Sequence, residues 1–149
     1  MHPTGTVDSI LQHKGHEVWS VTPDHTVFDA IRLMADKNVG ALLVVEEGRP
    51  VGVVSERDYA RKVALQGKHS RETIVRDIIS GRLITVTRGQ TVADCMRLMT
   101  EHRIRHLPVV EAGAILGLIS IGDLVNWIIS SQNATIDQLR SYISGEYPN

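Results

Sequence analysis

From Val21 to Val63, hydrophobic and polar positions follow an order that returns without a gap from Val86 to Ile128. In the first copy Val27, Ile31, Met34 and Ala35 recur at helical spacing, Thr26 and Asp29 stand where caps belong, and the helix ends near Asn38. The apolar runs Val39 to Val45 and Val51 to Val54 are short and rich in β-branched residues. Glu46-Glu47-Gly48-Arg49 between them has the composition of a hairpin turn. Leu107 to Ile119, turning at Ala112-Gly113, predicts a second hairpin. After each hairpin come Ser-x-x-Asp and an apolar-patterned segment, Tyr59 to Leu65 or Leu124 to Ile129, which predicts a second helix. Each copy thus reads strand, helix, strand, turn, strand, helix. Gln66 to Arg71 is a polar, basic surface loop, and Glu72 to Ser80 predicts a short helix leading into the second copy. Val7 to Gln12 holds the equivalent place before the first.

The two copies stand at a constant offset of 65, with about 16 of about 43 aligned positions identical. Thr26-Val27, Asp29 and Arg32-Leu33-Met34 return as Thr91-Val92, Asp94 and Arg97-Leu98-Met99; Gly52, Ser55 and Asp58 return as Gly117, Ser120 and Asp123. A repeat of this size buries little apolar surface alone, so the two are expected to pack as one unit with pseudo-twofold symmetry. This divides the chain into residues 1–72, a first repeat with its lead-in; residues 73–131, a second repeat; and residues 132–149, a tail with helical spacing at Ile136, Leu139 and Ile143.

Charge narrows the class. Sixteen Lys and Arg against 17 Asp and Glu give a net charge of −1, so no global field draws nucleic acid or an anionic membrane, and any anion site must be local. No apolar run approaches the roughly 18 residues of a membrane span, and Met1 to Lys14 lacks the basic-then-apolar order of a secretory signal. A cytoplasmic protein is expected. One cysteine, Cys95, forms no internal disulfide, which fits a reducing compartment and leaves intermolecular pairing open.

Five stretches together carry a family resemblance: Val21-Thr22-Pro23-x-x-Thr26-Val27 before the first helix; Gly40-Ala41-Leu42-Leu43-Val44-Val45 and His106-Leu107-Pro108-Val109-Val110; and Gly52-Val53-Val54-Ser55-Glu56-Arg57-Asp58 with Gly117-Leu118-Ile119-Ser120-Ile121-Gly122-Asp123. Each copy resembles a CBS domain, named for cystathionine β-synthase, and the pair resembles a Bateman module. The chain is especially similar to free-standing bacterial two-repeat proteins that carry Lys-Gly before the first strand and Ser-Glu-Arg-Asp-Tyr-Ala-Arg-Lys in the first repeat. The resemblance implies an α/β (α+β) fold of two β-α-β-β-α repeats and a regulatory, non-enzymatic role. The ligands it implies are AMP-like nucleotides and NAD(H), bound as regulators in clefts between the repeats. It also implies homodimerisation through helices, for which Leu124 to Ile129 with Trp127 offers a self-complementary patch braced by the tail. The signal is expected to pass to a separate partner protein, unidentified from sequence.

By the same resemblance, each pocket joins the Ser-x-x-Asp of one repeat to the strand starts of the other. One set is Ser120 and Asp123 with Val18, Val39, Gly40 and Ala41, reached by Lys14 and His16; the other is Ser55 and Asp58 with Leu83, Ile104, Arg105 and His106. A carboxylate there accepts from both hydroxyls of a ribose, and backbone N–H groups at the helix start meet phosphate. Gly40-Ala41 let a flat adenine approach, with Val39 and Ile104 as apolar walls. Ser-x-x-Asp is equally a capping box, and the two roles are compatible. The repeats differ in charge: Arg57, Arg61 and Lys62 surround Asp58, whereas Gly122, Asn126 and Trp127 surround Asp123, and Gly40-Ala41 is replaced by Arg105-His106. The Asp58 pocket is therefore expected to prefer phosphate-rich ligands, a solvated basic helix face being the alternative.

Enzyme readings fare worse. His102 and His106 have zinc-like spacing, but no Glu follows His102 and His106 belongs to a strand. Cys95 replaces Ala30 and reads as a small buried residue. No GxGxxG or Walker pattern is present, so NAD binding here implies sensing. A protein-interaction module with vestigial clefts, acting on a redox partner, is the rival reading. Trp19 and Trp127 read as packing residues, with Trp127 a candidate to face a partner subunit.

Overall fold

Threonine caps start three helices. Thr6 opens α1 (Val7–Lys14), Thr26 opens α2 (Val27–Lys37) and Thr91 opens α4 (Val92–His102), each hydroxyl accepting the backbone N–H three residues on. The computed structural model describes residues 4–79 and 82–143. In chain order the elements are α1, β1 (Ser20–Val21), α2, β2 (Ala41–Glu46), β3 (Arg49–Ser55), α3 (Glu56–Tyr59), α4, β4 (His106–Glu111), β5 (Ala114–Ser120) and α5 (Ile121–Ile143). Among the described residues no helix is long and apolar enough to cross a membrane.

The expected hairpins are β2–β3 and β4–β5, with the same bulge in each, between Val44 and Val45 and between Val109 and Val110. The first strands differ. β1 pairs in parallel with β2, whereas the second repeat keeps only an isolated bridge between Val86 and Val109. Proline explains the loss. Leu43 donates its N–H to the Trp19 carbonyl at 3.1 Å, and Pro108, its counterpart, has no N–H to give Ile84.

Several helices depart from expectation. On α2 the buried stripe is Val27, Ala30 and Met34, and Ala35 is exposed. The helix expected over Tyr59 to Leu65 is one α turn, α3, that widens into a π turn over Ala60–Ala64. Its counterpart and the tail form a single 23-residue helix, α5. Glu72 to Ser80 contributes only a 3₁₀ turn, Val75–Asp77, and Ser80 lies outside the described residues, as do residues 144–149 of the tail.

The lead-in segments cross over. Val7, Ile10 and Leu11 of α1 are buried with Val92, Cys95, Met99, Leu107 and Ile119 of the second repeat, while Val75 and Ile78 are buried with Val27, Met34, Leu42 and Val54 of the first. Backbone bonds seal both joints, Val7 N–H to Gln90 O at 2.8 Å and Val27 N–H to Thr73 O at 2.8 Å. Paired glycines make room: a Cβ on Gly117 would stand 2.6 Å from Leu11 Cδ2, and one on Gly52 would stand 3.1 Å from Ile79 Cδ1. Equivalent side chains of the two repeats tie these segments down, Lys62 Nζ donating to Ile78 O at 2.7 Å and Trp127 Nε1 donating to Thr4 O at 2.8 Å. Trp127 therefore packs on its own chain and not on an open patch, and Leu124 is core at 1% exposure. Among the described side chains of α5, Ile121, Val125, Ile129, Ile136, Leu139 and Ile143 are large, apolar and exposed. Trp19 packs partly buried against the first core, with Lys37 Nζ 4.3 Å above its ring.

Candidate functional site between the repeats

Where β3 runs into α3, Ser55 and Asp58 cap each other. The Asp58 N–H donates to Ser55 Oγ at 3.2 Å, and Asp58 Oδ2 accepts the Ser55 N–H at 2.9 Å and its hydroxyl at 3.0 Å. Ser120 and Asp123 repeat the backbone half of this at 2.8 and 3.1 Å. The capping role is thus fulfilled in both repeats. A carboxylate has about four lone-pair sites, so the cap leaves each Asp able to accept more; Asp58 Oδ1 lies 3.4 Å from Lys62 Nζ.

Beside Asp58 lies a cavity of about 660 Å³ with walls from both repeats. Val53, Ser55, Arg57, Asp58, Arg61 and Lys62 form one side, and Leu83, Ile84, Ile104, Arg105, His106 and Pro108 form the other. The structure thus gathers Ser55, Arg57, Asp58, Arg61, Lys62, Leu83, Ile104, Arg105 and His106 on one concavity. Gly40, expected opposite Asp123, lines this cavity instead, because its carbonyl accepts the first N–H of α3, that of Glu56, at 3.0 Å. Sequence reasoning missed Arg82 and Arg103, which also line it. The signal was present, since each lies one residue before an apolar wall residue, Leu83 or Ile104.

The Asp123 side is arranged differently. Lys14, the last residue of α1, places Nζ 2.6 Å from Asp123 Oδ2 and 2.7 Å from the Leu118 carbonyl, and His16 Nδ1 bonds the Leu116 carbonyl at 3.0 Å. Ala41 is buried opposite Ser55 in the β2–β3 ladder, Val39 packs against the first core, and Val18 is half-buried ahead of β1. Of the residues expected around Asp123, Lys14 bonds it directly.

Cations dominate the open cavity. Arg57, Arg61, Lys62, Arg82, Arg103 and Arg105 line it against two carboxylates, Glu56 and Asp58. Arg76, Arg88 and Arg97 elsewhere are ion-paired, yet among the described residues Arg57, Arg61, Arg103 and Arg105 make no ion pair. Burial pushes the His106 imidazole below the usual histidine range, Asp123 and Asp58 only partly opposing and Lys14 and Arg105 reinforcing. Away from the cavity, burial raises the Cys95 thiol to about 11. His102 closes α4 while His106 opens β4, and among the described residues no three His, Cys, Asp or Glu gather to hold a metal. A shallower groove of about 400 Å³ lies between α4 and α5; it is lined by Met96, Met99, Ile121, Leu124, Val125 and Ile128 and shares Arg57, Arg103, Ile104 and Arg105 with the cavity.

Known proteins match this architecture. The mitochondrial CBS domain-containing protein CBSX3 of Arabidopsis thaliana is 40% identical over 152 residues, covering 95% of this chain and 73% of that protein. A putative signal-transduction protein with CBS domains from Burkholderia ambifaria superposes with a TM-score of 0.82 at 50% identity, covering 86% of this chain and 96% of that one. The CBS domain pair of protein MJ0100, solved in complex with 5′-methylthioadenosine and S-adenosyl-L-methionine, shares the fold at a TM-score of 0.76 and 21% identity, covering 87% of this chain and 99% of that one. The family model of the CBS domain matches twice, at residues 11–65 and 75–130, and the chain belongs to the CBS-domain family as a tandem pair.

Proposed function

We propose that this CBS pair is a regulatory protein that binds an adenine nucleotide, AMP, NAD(H) or a related adenosyl ligand, in the Asp58 cleft. The observation that carries the reading is the cavity itself, in which a helix-start carboxylate of one repeat faces an apolar wall of the other beneath a rim of arginines. Leu83, Ile84, Ile104 and Pro108 suit a flat base, Asp58 suits ribose hydroxyls, and the arginines suit phosphate. The adenosyl compounds bound by the MJ0100 pair support the ligand class. A ligand spanning both walls favours one relative setting of the repeats, and that difference is the signal a partner protein reads.

The chain binds without turnover in this reading. Ser55 is spent as a cap, and Cys95 is buried with its thiol raised. A cytoplasmic location fits that single buried thiol. Homodimerisation runs through the α4–α5 face, where Met96, Ile121, Val125 and Ile129 are 40%, 47%, 47% and 49% exposed. One observation favours a vestigial second cleft: Lys14 already occupies Asp123, so that side serves as a joint between α1 and β5.

Calorimetric titration with AMP, ATP, NAD⁺, NADH and S-adenosylmethionine tests the reading. Binding of at least one, with one site per chain, is expected, and Asp58→Ala is expected to weaken it by at least about tenfold while circular dichroism shows the fold retained. The reading is lost if none of the five binds more tightly than about 1 mM.

A further inference from the structure

Four non-glycine residues among those described hold positive φ, and they form two pairs related by the repeat: Glu47 with Ala112 in the hairpins, and Asn38 with Arg103 at the ends of α2 and α4. The fold therefore demands left-handed backbone at the end of this helix twice, at φ 55 and ψ 48, then at φ 53 and ψ 45. The first repeat meets the demand with Asn, the side-chain-bearing residue that tolerates it best. The second uses Arg, a poorer choice for the backbone. The closing bond is made by the Arg103 backbone N–H to Met99 O, so the helix end gains from the guanidinium only the general preference of a C-terminus for a cation, which Asn38 shows the fold does not require.

Position accounts for it. Arg103 lines the Asp58 cavity with Arg57, Arg61 and Arg105, and none of the four has an ion-pair partner among the described residues. Their repeat counterparts are Asn38, Gly122, Asn126 and Gly40, all uncharged. Four arginines lining one concavity carry more charge than a monophosphate, with about two charges, can match. We propose that Arg103 is a specificity-determining residue of the Asp58 cleft, kept against backbone preference because its guanidinium, with the three beside it, selects a nucleotide bearing a polyphosphate over a monophosphate. This rests on the nucleotide reading above and goes further by naming the charge class of the ligand and the residue that reads it.

The test compares wild type, Arg103→Asn, Arg103→Lys and Asp58→Ala in titrations with ATP, AMP and inorganic tripolyphosphate, alongside thermal melts. Arg103→Asn is expected to weaken ATP and tripolyphosphate about tenfold, and AMP by no more than about twofold. Without ligand it should melt about 2–3 °C higher, since Asn suits the left-handed position. Arg103→Lys should recover part of the ATP affinity. Unchanged ATP affinity in Arg103→Asn, or equal losses for ATP and AMP, overturns the selective role, and a lower melting temperature overturns the backbone argument. If Asp58→Ala binds AMP as wild type does, the ribose assignment fails separately, while the tripolyphosphate titration still decides the role of Arg103.

Discussion

Asp58 shows how one side chain serves two purposes. Its Oδ2 completes the cap of α3, and the residue also lines the cavity. Both roles were visible in Ser-x-x-Asp, because hydroxyl and carboxylate at that spacing meet any helix start; which surface the carboxylate also faces depends on the other repeat. His106 was legible as a strand residue, and the family resemblance placed it beside Asp58. Its burial, and its place within reach of Asp58, Asp123, Lys14 and Arg105, come from packing. The folded imidazole resists protonation, so it favours the folded state in full above the free-histidine value of about 6.5, and this contribution drains away as pH falls from there through the lowered folded value. Replacing it by Gln removes the titration. In thermal melts between pH 7.5 and 5, His106→Gln is expected to lose less melting temperature than wild type; an equal loss would place the acid sensitivity elsewhere.

Elements were legible where the pattern is local. Threonine caps and the 3.6-residue stripe mark α2 and α4, and paired β-rich runs around Glu47-Gly48 and Ala112-Gly113 mark the hairpins. Elements whose extent depends on a neighbour were misread. The second repeat's first strand needed a donor that Pro108 lacks, and α3 widens into a π turn that no periodicity announces. Gly52 and Gly117 read as carriers of the family resemblance; in the structure both make room for the lead-in segments, and Gly52 also lines the Asp58 cavity. The tighter of the two makes a prediction. Gly117→Ala puts a methyl 2.6 Å from Leu11 Cδ2, and denaturant unfolding should show a loss of about 1–3 kcal/mol. Gly52→Ala, facing Ile79 Cδ1 at 3.1 Å, should lose less. A reversed order would mean that the α1 joint is the looser one.

At the scale of the molecule, repeats of one fold give their Ser-x-x-Asp corners unlike surroundings. Asp58 lines an open cavity together with several arginines, whereas Asp123 is ion-paired to Lys14. Each repeat completes its core with the lead-in of the other, so neither is a self-sufficient unit. The face left apolar is the α4–α5 surface, centred on Val125 and Ile129 and not on Trp127. For the homodimer proposed above, Val125→Glu is expected to give a monomer in sedimentation velocity with the circular dichroism spectrum unchanged. A dimer that persists in this variant would move the interface to another face.

Sequence alone determined the duplication, the capped helices, the hairpins and the charge imbalance between the repeats, because each is written in residue order or local spacing. Only the tertiary structure decided that Gly40 and Arg103 share the Asp58 cavity, that Lys14 neutralises Asp123, and that α1 belongs to the far core. The physical reason is common to all three. Contacts between groups distant in the chain are set by how two cores fill their volume, and hydrophobic burial records which residues go inside without recording which partner they meet there.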